Sequence, residues 1–75
     1  MDDRLIDDAR SLIAGDIAEP WAVVPDLEDE IERRRLDMQY VKHLQVIIGS
    51  SAKWHLLRSS PEQRAQAFLK TIEAE

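Results

Sequence analysis

The stretch PDLEDEIERRRLDMQYVKHLQVIIG, Pro25–Gly49, carries the architecture of this 75-residue chain, because nothing between its two ends breaks a helix. Proline suits a first helical position, acids crowd the opening turn, and a glycine stands where a left-handed terminating residue is wanted. The pattern predicts one helix over 26–48, a rod of about 35 Å. Asp29 precedes Arg33 by four residues and Glu30 precedes Arg34 by four, the orientation in which surface pairs support a helix.

Wound at about 100° per residue, Leu27, Ile31, Met38 and Val41 fall in one sector and form the expected core stripe. Leu36, Tyr40 and Ile47 fall on the opposite side, with Leu44 and Ile48 between the two groups. The second half of the rod is therefore apolar around most of its circumference, and one neighbouring helix cannot cover it. Either the first helix on one side and the short and last helices on the other cover it within one chain, or a second copy or another protein covers the remainder; the second arrangement, a homodimer, is the preferred expectation.

Outward from this rod, Leu5, Ile6, Ala9, Leu12, Ile13 and Ile17 recur at helical spacing and predict an amphipathic helix over 2–17, weakened or ended by Gly15. Pro20 and Pro25 bracket Trp21-Ala22-Val23-Val24 and predict an extended connector over 20–25, with Val24 stapled to the next helix. Beyond Gly49, a short helix is expected over 51–58. Ser60-Pro61-Glu62-Gln63 has the composition of a capping box and opens a helix over 61–74, with Ala65, Phe68, Leu69 and Ile72 on one stripe. The fold class is all-α: a three- to four-helix bundle around one long central helix.

Composition narrows the function classes. Fifteen Asp and Glu against ten Lys and Arg leave a formal charge of −5, and there is no cysteine. Disulfides and thiolate chemistry are excluded. The longest apolar run, Trp21–Val24, is far short of the ~20 residues of a membrane-spanning helix. The opening Met1-Asp2-Asp3 has neither the basic nor the apolar region of a secretory signal, so a cytoplasmic location is expected.

The residues that carry catalysis are not arranged for it. His43 and His55 lie twelve apart, with no H-E-x-x-H pattern, and read as structural or surface histidines. Ser50, Ser51, Ser59 and Ser60 lack the G-x-S-x-G context of a nucleophile and read as helix caps. No catalytic, cofactor-binding or metal-ligating residue is assigned, and no cofactor is expected.

The chain reads instead as a binding protein whose partner is another protein. Charge is unevenly distributed: residues 1–32 hold eleven acids and two arginines, residues 33–75 eight bases and four acids. Three candidate surfaces follow. The first is an apolar interface from Leu36, Tyr40, Leu44 and Ile47, with Trp21 and Trp54 as anchors. The second is an acidic one from Asp26, Glu28, Asp29, Glu30 and Glu32, in keeping with a small acidic regulator, adaptor or inhibitor that binds a larger macromolecule, and alternatively with a phage- or mobile-element-type inhibitor, anti-CRISPR-like or a nucleic-acid mimic, that blocks a basic groove of a nucleic-acid enzyme. The third is a set of anion contacts from Arg33, Arg34, Arg35, Lys42, Lys53 and Arg58, which would serve a DNA-binding regulator. The net negative charge disfavours this last reading.

Overall fold

The computed structural model describes residues 3–74. Among them, five helices follow one another without a strand: α1 Asp3–Ala14, α2 Pro20–Arg33, α3 Asp37–Ile48, α4 Lys53–Leu57 and α5 Pro61–Glu73. The all-α reading holds, but the central element is α5. It packs against α1, α2 and α3, whereas α1 and α3 do not pack against each other and α4 lies mainly against α3.

The expected rod over 26–48 is two helices. α2 ends at Arg33, Arg35 takes a left-handed conformation with φ 57°, and α3 starts at Asp37. The stop is a complete Schellman arrangement. The Arg35 N–H donates to the Glu32 carbonyl at 3.0 Å, and the Leu36 N–H reaches back to the Ile31 carbonyl at 3.0 Å. The same device ends α1, where Gly15 has φ 81° and Asp16 N–H bonds the Ser11 carbonyl at 2.9 Å. Gly49 ends α3 with φ 79°. The two glycine stops are where the composition places them; the third has no glycine. A continuous rod of about 35 Å would exceed the longest dimension of the molecule, 30 Å, and would carry α3 off α5.

The break also resets the helical phase. Met38 and Val41, expected in the core, are exposed, and the side that α3 turns to α5 bears Tyr40 and Leu44, both buried, with Leu36, Ile47 and Ile48 partly buried against them. The apolar stripe expected to need a second chain is thus core within one copy. Tyr40 is 7% exposed and Leu44 5%, so both are covered by their own chain, while Leu36 and Ile47 are covered in part.

The connector over 20–25 is likewise helical. Pro20 occupies the first turn of α2, where its missing N–H costs nothing. Pro25 lies inside the helix, where it removes a hydrogen bond and disfavours helical geometry at Val24. Burial outweighs this local cost: Val24, Leu27 and Ile31, at helical spacing, are all at most 2% exposed.

α1 runs only to Ala14, short of Ile17, and Asp2 lies outside the described residues. α4 is the five residues Lys53–Leu57 rather than 51–58, and none of them is buried. α5 begins as its capping box requires: Gln63 N–H donates to Ser60 Oγ at 3.1 Å, and Ser60 N–H donates to Gln63 Oε1 at 2.8 Å. Its buried arc carries Ala65, Ala67, Phe68, Thr71 and Ile72, wide enough to receive three helices. Ala65 and Ala67, both fully buried, allow the neighbouring backbones to approach closely, and Phe68 fills the space between them.

Candidate functional site

Three regions hold the residues that could carry function. The first is a polar node where α2, α3 and the α4–α5 turn meet. Tyr40 Oη donates to Glu28 Oε2 at 2.9 Å, and Arg64 Nη1 lies 3.5 Å from the same oxygen. Arg64 Nε donates to Ser59 Oγ at 2.9 Å, and Nη2 to the Leu57 carbonyl at 3.2 Å. The Arg64 guanidinium also lies 5.1 Å from the centre of the Trp21 ring, a cation–π distance. Burial, the Glu28 charge and the hydrogen bond to it together push the Tyr40 hydroxyl well above the usual phenol range, so it stays protonated as a donor. With its polar atoms engaged in this way, the node acts as a clamp across four segments of chain.

Arg64 and Ser59 are absent from the sequence-based candidates. The available signal was an arginine on a stripe that is otherwise apolar, at helical spacing with Pro61, Ala65 and Phe68. A charged group there has to find partners inside the fold.

The second region lies between α1 and α2. A cleft of about 520 Å³ is lined by Arg4, Leu5, Asp8, Asp26, Asp29, Glu30 and Arg33. Glu30 is buried among the acids. It accepts from Arg33 Nε at 3.0 Å, from Arg33 Nη2, and from Arg34 Nε at 2.6 Å. Hydrogen bonds from the Arg33 and Arg34 side chains hold its carboxyl down at about 2, against the opposing effect of burial. The structure therefore divides the acidic candidates. Glu28 and Glu30 are engaged within the chain, and Asp26, Asp29 and Glu32 remain exposed. Of the basic candidates, Arg33 and Arg34 hold Glu30, and Arg35 forms the helix stop.

The third region is the outer side of α3 and α4. Among the described residues the large apolar side chains left exposed are Trp21, Met38, Val41, Val46, Trp54 and Leu57. All but Trp21 belong to α3 and α4. Met38, Val41, Lys42 and Gln45 form one helical face bordering an open groove of about 310 Å³, together with Asp37. On α4, Trp54 is 63% exposed and Leu57 70%, three residues apart and hence on one face. The Arg58 guanidinium lies 5.7 Å from the centre of the Trp54 ring. Lys42, which lines the groove on α3, and Lys53 and Arg58, at the two ends of α4, are exposed.

α4 is held at both ends. Ser50 Oγ accepts from the Ala52 N–H at 3.2 Å and lies 2.7 Å from His55 Nδ1, and the Leu57 carbonyl receives Arg64. Of the apolar interface candidates, Trp54 and Trp21 lie on the surface, Leu36 and Ile47 are half-buried against the core, and Tyr40 and Leu44 are inside it.

Among the described residues no three His, Asp or Glu side chains come together with metal-holding geometry, and no helix is long and apolar enough to cross a membrane. No family model matches the chain, and neither a curated protein nor a solved structure matches it.

Proposed function

We propose that this chain is a small protein-interaction module, acting as a regulator, adaptor or inhibitor by docking the outer side of α3 and α4 on a larger protein. One observation carries the reading: of the six large apolar side chains left exposed among the described residues, five lie on these two helices. Isolated exposed apolar residues are ordinary, but a tryptophan and its neighbours concentrated on adjoining elements mark a contact surface. The acidic candidates support the competing groove-blocking reading less well, because two of the five, Glu28 and Glu30, are bound within the fold.

The test compares proteins captured from host extract by the tagged chain and by a Trp54→Ala/Leu57→Ala variant. Both residues are exposed, so the variant keeps its helical circular dichroism and thermal midpoint. A protein retained by the wild-type chain, lost by the variant and rebound after purification is the expected result. Identical captured sets from the two chains refute the reading.

A further inference from the structure

We propose that α4 is a strap latched by Arg64: when the guanidinium lets go, α4 swings away from α3 as one unit, pivoting between Ser50 and Ser59, while the other four helices stay packed. None of its five residues is buried, and of its apolar side chains only Leu56 packs against the core. Trp54 and Leu57 are turned to solvent. The side-chain bonds at the front of α4, from the Ala52 N–H and to His55 Nδ1, reach only as far as Ser50 Oγ, next to the left-handed Gly49, so a pivot there leaves them intact. Among the described residues, the side-chain hydrogen bonds that join residues 51–59 to another helix both come from Arg64: Nη2 to the Leu57 carbonyl at 3.2 Å and Nε to Ser59 Oγ at 2.9 Å. Ser59 Oγ in turn donates to the Leu56 carbonyl at 2.6 Å.

A guanidinium suits this task. Its nitrogens lie in one rigid plane and here address three segments at once: Glu28 of α2 through Nη1 at 3.5 Å, the end of α4, and the turn before α5. The Trp21 ring, centred 5.1 Å away, covers its face, and the side chain is 17% exposed. Lysine at this position would keep the charge but carry all its donors on one atom, too compact to hold Leu57 and Ser59 while facing Glu28. A segment with few buried contacts opens locally, without the rest of the fold. The device goes beyond the docking reading and operates whatever Trp54 and Leu57 meet. On that reading, Arg64 is the positioning residue that fixes where these two side chains stand.

The test measures backbone NMR order parameters and amide hydrogen exchange in the full chain and in Arg64→Lys, with Glu30→Gln as a variant weakened on α2. In the wild-type chain, residues 53–58 are expected to match α5 at about 0.85. In Arg64→Lys they fall below about 0.6, while α1, α2, α3 and α5 keep their values. Exchange at the Arg58 and Ser59 amides rises at least about tenfold beyond what the change in urea midpoint accounts for. In Glu30→Gln exchange quickens throughout the chain and residues 53–58 stay as ordered as in the wild type. The proposal is overturned by residues 53–58 that are already below about 0.6 in the wild type, that are unchanged in Arg64→Lys, or that loosen only together with the other four helices. Should Arg64→Lys fail to fold, Ser59→Ala decides, since it removes one of the two anchors with little change in volume. Faster exchange confined to residues 53–58 then supports the latch, and no change there overturns it.

Discussion

Tyr40 is the only tyrosine in the chain, and its hydroxyl is bound to Glu28 in a nearly closed environment. Burial and the neighbouring carboxylate raise its folded pKa, whereas the unfolded chain releases the phenol proton near pH 10. Above that pH the unfolded state binds fewer protons than the native one, so stability falls as pH rises. Phenolate absorbance is expected to appear together with loss of helical signal in an alkaline titration; a phenolate formed while the fold persists contradicts this. Tyr40→Phe is expected to cost about 1 kcal/mol at neutral pH in urea unfolding and to remove the tyrosine contribution at alkaline pH.

Glu30 behaves in the opposite sense. Its folded pKa is depressed to about 2 from an ordinary 4.5, so its contribution is complete above 4.5 and disappears as pH falls toward 2. The urea midpoint is expected to decline across that interval, less steeply in Glu30→Gln. Parallel curves for the two proteins would show that Glu30 is not the group responsible. The sequence marks the Glu30–Arg34 spacing but not its burial, nor the partnership of Glu28 with Tyr40 and Arg64, because side chains twelve and 36 positions apart meet only after the helices pack.

At the scale of elements, local chemistry was legible wherever it was sufficient. Gly15, Gly49 and the Ser60–Gln63 box stop or start helices as their residue types require. Pro20 and Pro25 misled because their local preference is overcome by the buried Val24–Leu27–Ile31 face. Arg35 was invisible for a different reason: a left-handed arginine leaves no mark in composition, yet it decides where α2 ends and which side of α3 is buried. Its conformation costs roughly 1–2 kcal/mol that glycine does not incur, partly offset by the greater freedom of glycine in the unfolded chain. Arg35→Gly is therefore expected to raise stability by up to about 1 kcal/mol, read from the urea midpoint at constant slope. A loss of stability would mean that the Arg35 side chain contributes more than its backbone strain costs.

The whole molecule is organised around its last long helix rather than its middle. Amphipathic stripes in α1, α2 and α5 were readable individually, but none reveals which helix will be surrounded by the others; that follows from the wide buried arc of α5 and its two small alanines. Phe68, fully enclosed where three helices converge on α5, is the residue with most to lose. Phe68→Ala removes about 3–5 kcal/mol, comparable with the entire stability of a domain this small, and is expected to leave the chain largely unfolded by circular dichroism at room temperature.

The turn at Arg35 has a topological consequence. Straightening residues 34–36 would join α2 and α3 and swing Tyr40 and Leu44 out of reach of their own α5, leaving a vacancy that the α3 of another molecule fits. Arg35→Ile, whose β-branched side chain is averse to the left-handed region yet tolerable in a straight helix, is expected to form domain-swapped dimers at high protein concentration. Size-exclusion chromatography would detect them, and mixing two labelled pools would show the slow exchange of arms between molecules.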